Sequence, residues 1–314
     1  MEISKPSDYK NLDNYKYFES NDDECFYYIT KLHVFFNKDG NILYNSNIQL
    51  NPNSNYLESA KKIIKNFNFE NTKIDEFENI ISIQKWFNTY GHFKDEIFNL
   101  CNFYELFNNK NYKVLMNYEK PSFINYSFDN YDKINRFLFD DNIFINGCLF
   151  NSNVIKVKKL ILIEHNMKSH MFHMFPQNVT NKILQKISDN NLIEYNKNIF
   201  ITRGKALHLP RNLNNQEEIE TYFKSINYNV INPEIIELEL FINSIKNAEN
   251  IFITWGGAMV NLCYVNPNAN IYLLQSKSYQ HENLFSIFKF LKDYKNLHII
   301  KCDDDNNIDI NKLL

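Results

Sequence analysis

Arginine is almost absent from this chain. Its 314 residues include three, Arg136, Arg203 and Arg211, against 31 lysines. The heavy use of Asn, Lys, Ile, Tyr and Phe fits AT-rich coding, which drives arginine towards lysine. An arginine kept against that drift does something lysine cannot. A guanidinium is a rigid planar fork of donors that grips an anion at two points, whereas an ammonium is a point charge. Arg203 and Arg211 lie eight positions apart in one segment, Ile201-Thr202-Arg203-Gly204-Lys205-Ala206-Leu207-His208-Leu209-Pro210-Arg211. That segment reads as an anion-binding element. The alternative is a pair of structural salt bridges.

Glycine is scarce too, with six. Four of them fall in three short segments: Tyr90-Gly91-His92, Arg203-Gly204-Lys205 and Trp255-Gly256-Gly257-Ala258. Glycine belongs where backbone needs positive φ or where another group must come close. Cysteine is sparse, odd in number and widely spaced, at positions 25, 101, 148, 263 and 302, with no Cys-x-x-Cys. This argues against a disulfide framework and a cysteine zinc site, and for a reducing compartment. No apolar run approaches the roughly 18–20 residues that span a bilayer. Met1-Glu2-Ile3-Ser4-Lys5-Pro6 is polar and does not read as a signal peptide,. A cytoplasmic location with no membrane span is therefore expected. Net charge is −3 and the lysines are scattered, which gives no nucleic-acid footprint,.

The chain is 44% hydrophobic and 16% aromatic, enough for a substantial folded core, and its length suggests about two domains,. Hairpin-like stretches fall around Tyr27–Phe36 and Gly40–Leu50. Ser59–Phe67, Ile81–Trp86 and Phe93–Phe107 read as helical, and Lys113–Met116, Ile143–Ile145 and Val157–Glu164 as strands. Then the pattern becomes regular. Strands are expected at Asn198–Thr202, Tyr228–Asn232, Asn250–Thr254, Asn270–Leu274 and Leu297–Ile300. Helices are expected at Asn178–Ile187, Gln216–Ser225 (capped by Asn214 or Asn215), Pro233–Ala248, Met259–Tyr264 and Glu282–Lys292. Such alternation predicts a parallel sheet covered on both faces. Ligands bind such sheets beyond the carboxyl ends of the strands. Arg203 and Trp255-Gly256-Gly257 each follow a strand directly, so both belong to that edge. Gly256-Gly257 also opens a helix, whose N–H groups and dipole favour an anion.

Three other patterns are read as non-functional. Asp303-Asp304-Asp305 imitates a metal-binding Asp-x-Asp but is expected to be solvated. His165, His170 and His173 lack a clean ligand spacing. Arg136-Phe137-Leu138-Phe139-Asp140-Asp141 is expected to be a loop. No metal site is expected.

From Asn198 to Leu274 the sequence resembles the C-terminal half of family 61 glycosyltransferases, a group that includes capsular polysaccharide biosynthesis proteins. Thr202-Arg203, Arg211, Leu213, Asn215, Gly256 and Asn261 fit that family's pattern. Gln216 stands where Glu is usual, Ile253 where Gly is usual, Trp255 where His is common and Met259 where Leu is usual. Gly257-Ala258 inverts an Ala-Gly. Upstream, Tyr90, His92 and Glu96 fall on the family's N-terminal motif, although Asn99-Leu100 replace its Pro-Arg.

The resemblance implies an α/β fold of GT-B type, two Rossmann-like domains facing across a cleft, here residues 1–172 and 173–314. The first would supply the acceptor site and base, the second would hold a nucleotide sugar. The implied reaction is inverting, metal-independent transfer of a hexose or pentose from a nucleoside-diphosphate sugar, with UDP-sugar the expected donor and no other cofactor. The acceptor is a glycan or glycoconjugate hydroxyl, and a homodimer stays open. Arg203 with Lys205 or Arg211 would hold the diphosphate beside Gly256 and Gly257. Tyr90, Asn215, Trp255 and Asn261 complete the expected substrate contacts. His92 is the expected base, with Glu96 on the same helix face as its orienting partner or the base itself, and Asp95 third. The alternative is a relative that binds glycan or nucleotide and has lost the chemistry.

Overall fold

The computed structural model describes residues 15–19, 25–28, 34–37, 39, 42–45, 56–83, 97–98, 100–102, 104–105, 111–116, 128–140, 143–146, 154–163, 177–187, 195–203, 213–233, 235–279, 291 and 294–313. Two compact units emerge. One comprises Met1–Asn88, Glu96–Glu119 and Phe139–His170; the other comprises Thr89–Asp95, Lys120–Leu138 and Met171–Leu314.

The first unit holds an eight-stranded mixed sheet built around two long strands, β5 (Asp75–Ile83) and β8 (Val154–Ile163), which run parallel. Beyond β5 lie β6 (Lys113–Met116) and β7 (Phe144–Asn146), also parallel. On the other side of β8 the sheet turns antiparallel. There β1 (Tyr15–Glu19) pairs with Lys159–Ile163, and β2 (Cys25–Tyr28) pairs with Val154–Lys156. The sheet continues through β3 (Val34–Asn37) to β4 (Ile42–Asn45). The hairpin expected near residues 27–36 is present as β2 and β3; within the 40–50 stretch the described strand, β4, pairs back on β3, and residues 46–50 lie outside the described residues. Helix α1 (Tyr56–Lys65) packs Ile64 on Val34, Phe36 and Val154.

The stretch expected to be helical at Ile81–Trp86 is instead strand as far as Ile83. Residues 75–79 of β5 are alternately half-buried and exposed, but Ile80 to Ile83 are all buried. A short apolar run covered on both faces carries no period, so strand and helix look alike in sequence.

The second unit carries a five-stranded, wholly parallel sheet in the order β10-β9-β11-β12-β13. These strands are β9 (Asn198–Ile201), β10 (Asn229–Ile231), β11 (Asn250–Thr254), β12 (Asn270–Gln275) and β13 (Leu297–Lys301). Alternation divides their side chains between two faces. Ile199, Ile201, Ile251, Ile253, Ile271 and Leu273 occupy one face and are all buried. Phe200, Phe252, Tyr272 and His298 occupy the other as a ladder of rings, with Phe252 and Tyr272 stacked at 4.3 Å and Tyr272 and His298 at 4.9 Å. Helix α4 (Gln216–Ser225) packs on the Phe200–Phe252 end of that ladder, stacking Phe223 on Phe200 at 4.7 Å, while His298 at the other end is exposed. Where the strands begin, Asn270 donates to Asn250 and Asn250 to Asn198, each at 2.8 Å. These three of the many asparagines thus form a rung across the amino-terminal edge.

Helix α2 (Phe128–Leu138) belongs to this unit and packs on α3 (Gln177–Lys186). Its residues 136–138, expected in a loop, are its last turn; Arg136 is exposed. Lys133 Nζ pairs with Glu239 at 2.8 Å, tying α2 to α5 (Leu238–Lys246). That helix is shorter than the expected 233–248 span: its first hydrogen bond runs from the N–H of Phe241 to the carbonyl of Glu237, the N-cap, at 2.9 Å, and it ends at Lys246. After β11 the chain forms a 3-10 helix, Gly257–Tyr264, rather than an α-helix from Met259. The helix expected at Glu282–Lys292 falls almost wholly outside the described residues. No helix among them is long and apolar enough to cross a membrane.

Candidate functional site

The strand order creates the site. From β9 the chain passes through α4 to β10 on one side of β9; after α5 it returns as β11 on the other side. At such a reversal the two connections diverge and leave a crevice at the carboxyl ends of the strands. The residues leaving β9 and β11 there are Thr202-Arg203 and Trp255-Gly256-Gly257.

Arg203 is half-buried and lies across Gly256. A Cβ placed on Gly256 would meet Cζ, Nη1 and Nε of Arg203 at 3.5, 3.6 and 3.7 Å. Nearly equal distances to three guanidinium atoms mean that the plane faces the glycine. Arg203 Nη1 also lies 3.5 Å from the carbonyl oxygen of Trp255. Gly256 has φ 156° and ψ −165°, a region that side-chain-bearing residues rarely enter,. The turn thus requires glycine for its conformation. Gly257 is different: it is exposed and nothing lies within 4 Å of where its Cβ would be. The 3-10 helix begins there; the N–H of Met259 donates back to the carbonyl of Gly256 at 3.0 Å, and the N–H groups of Gly257 and Ala258 lie ahead of the helix's own hydrogen bonds,.

The remaining expected contacts occupy varied surroundings. Trp255 is 2% exposed; its N–H donates to Leu274 at 2.9 Å, extending the β11–β12 pairing, and its ring belongs to the core. Asn261 is buried within the 3-10 helix and donates to the carbonyl of Ala258 at 3.1 Å. Asn215 precedes α4 but makes no side-chain cap. Its amide instead receives the N–H of Ile308 at 3.0 Å and donates to the carbonyl of Ile308 at 2.9 Å. Tyr90, His92, Asp95, Glu96, Lys205 and Arg211 lie outside the described residues. The structure therefore brings Arg203, the Trp255 carbonyl, Gly256 and Gly257 together, with Asn261 in the helix that follows.

Three polar groups behind Arg203 escaped the sequence reading as a set. Thr202 Oγ1 donates to Glu220 Oε1, and Gln216 Nε2 donates to Thr202 Oγ1 at 2.9 Å and to Glu220 Oε1 at 3.2 Å. The available signal was the i, i+4 spacing of Gln216 and Glu220, which places both on one helix face. One strand over, the buried hydroxyl of Thr254 has no hydrogen-bond partner among the described residues. Asp303, Asp304 and Asp305 are exposed, as expected. Asp303 accepts the N–H of Asn307 at 2.8 Å and so shapes a turn.

A parallel α/β unit thus carries a guanidinium laid on a glycine turn at its strand reversal, the edge where such sheets generally take ligands,. The family model for Glycosyltransferase 61 matches residues 90–272, more than half of the chain, and the protein belongs to that family. It is accordingly a glycosyl-transferring enzyme by family, working on a donor and an acceptor glycan. No curated protein matches the sequence.

Proposed function

We propose that the protein is an inverting, metal-independent glycosyltransferase of GT-B type, taking a sugar from a nucleoside-diphosphate donor, a UDP-sugar, to a glycan hydroxyl. The observation that carries this reading is the Arg203 guanidinium lying flat on Gly256 beside the start of the 3-10 helix. A leaving diphosphate gathers negative charge as the glycosidic bond breaks. A fixed guanidinium and the N–H groups of Gly257 and Ala258 at the helix start stabilise that charge without a cation, because their dipoles are already oriented. Removing one such contact costs about 10²–10³ in rate. The base that takes the acceptor proton is assigned to His92, with Glu96 orienting it and Asp95 in reserve, on the strength of the family motif alone. Lys205 or Arg211 would add to the diphosphate contact. We place the enzyme in the cytoplasm.

The test is thermal shift of the full chain against nucleoside diphosphates, with and without EDTA. A ligand at ~100 times its dissociation constant stabilises by about 2.7 kcal/mol. The expected outcome is a rise with UDP that EDTA leaves intact and that Arg203→Ala removes. Arg203→Ala binding UDP as well as the parent would defeat the assignment.

One observation favours a second reading, a relative that binds nucleotide or glycan without turnover. The Trp255 ring occupies the core where the family commonly has His, and buried Leu100 stands in place of the motif's arginine. Donor hydrolysis by the parent protein that His92→Ala abolishes would exclude this reading.

A further inference from the structure

Thr202 is held from two directions. Its N–H donates to the carbonyl of Ile231 at 2.9 Å, so β10 fixes its backbone. Its hydroxyl, in a residue 4% exposed, is fixed by Glu220 and Gln216 from α4. Both Thr202 and Gln216 donate to the same carboxylate oxygen, Glu220 Oε1, which closes a three-membered ring of hydrogen bonds. A carboxylate accepts such bonds more strongly than a neutral oxygen does. The ring therefore pins the end of β9 to the first turns of α4 at the residue from which Arg203 departs.

Resting on the diphosphate reading above, we infer that Glu220 is a positioning residue for Arg203. It acts through Thr202 and touches neither donor nor acceptor. An arginine side chain has many rotamers, and it grips an anion well only if its starting point and direction are set. Here the starting point is the pinned Thr202 and the landing surface is Gly256. Gln216 completes the device. Its amide reaches both other members, so a carboxylate at 216 could take over the bond from Thr202.

The scarcity of arginine makes this testable without activity. With three arginines in the chain, the side-chain Nε–H region of a ¹H–¹⁵N spectrum holds three signals. Arg203→Lys identifies the one in question. Glu220→Ala, Thr202→Val and the exchange Gln216→Glu/Glu220→Gln would be compared with the parent in that spectrum and by calorimetric titration with UDP. Thr202→Val keeps the side-chain shape, so it serves if Glu220→Ala folds poorly. The expected result is a displaced or broadened Arg203 signal and about tenfold weaker UDP binding in the two single variants. The exchange variant, which keeps one amide and one carboxylate on the helix face, should restore the signal. An unchanged Arg203 signal with a lowered melting temperature would mean that the ring only stabilises the fold, and would overturn the inference. If the parent protein bound no UDP, the diphosphate reading would fall. The positioning claim would then stand or fall on the Arg203 signal alone.

Discussion

Gly256 and Gly257 adjoin one another and do different work. At φ 156° Gly256 sits where a side chain strains the backbone, although a Cβ there would keep ordinary van der Waals distance from Arg203. Gly256→Ala should therefore destabilise the protein by about 1–3 kcal/mol through conformation rather than collision. Gly257 carries no such strain and faces open space. Gly257→Ala should leave stability within about 0.5 kcal/mol, as for an exposed substitution. It should weaken UDP binding, because a methyl intrudes where a ligand would approach the first helical N–H groups. Denaturant midpoints and UDP titrations of the two variants check both statements. Equal loss of stability in both would refute the distinction. Both glycines were legible in the sequence, since a Gly-Gly at a strand end is a local signal. Their division of labour was not, because it depends on the φ of one and on how near Arg203 comes to it.

At the scale of elements, α4 couples the site to the C-terminal segment. Its hydrophobic side, Ile219 and Phe223, packs into the cluster that contains Phe200, Phe252, Leu274, Ile308 and Leu313. Its start is fastened by Asn215, which spends its amide on the backbone of Ile308. Asn215→Ala would leave the N–H and C=O of Ile308 without these partners and should cost about 1–3 kcal/mol. Urea unfolding measures that cost, and UDP titration of the folded variant shows whether Asn215 also contacts ligand. A stable variant that binds UDP weakly would make Asn215 a ligand contact, whereas an unstable one with intact binding would make it a fastener. Asn214, Lys277 and Asn306 strengthen the same junction. The side chain of Asn214 donates to the carbonyl of Asp305 at 2.6 Å, and the N–H of Lys277 donates to Asn306 at 2.8 Å.

For the whole molecule, the polarity of the second sheet matters most. All five strands run parallel, so every carboxyl end meets at one edge and every amino end at the other. The aspartate turn and the arginine-glycine pair share the first edge; the asparagine rung occupies the second. Ligand binding at the strand reversal should therefore protect one edge. Hydrogen exchange with saturating UDP should slow the amides of Ile201–Arg203 and Thr254–Met259 while those at the outer strand β13 change little. Slowing centred on β13 or in the first unit's sheet would place the ligand elsewhere.

The alternation of apolar strands and amphipathic helices after residue 198 specified a parallel sheet with no tertiary information, because each strand is short, apolar and bounded locally. The placement of Arg203 and Gly256 at its carboxyl edge followed from chain direction alone. Tertiary contacts decided the rest. The strand Asp75–Ile83 was hidden because its second half is buried on both faces, which removes the period that reveals a strand,. The Thr202–Gln216–Glu220 ring joins residues 14 and 18 apart, and the Asn215–Ile308 bonds join residues 93 apart. Hydrogen-bonding side chains such as Asn, Gln and Glu suit solvent and interior alike, and a sequence does not say which partner folding will bring. The order β10-β9-β11, which places the reversal between the two site-bearing strands, is a matter of which strands pair across the sheet. No residue carries that order by itself.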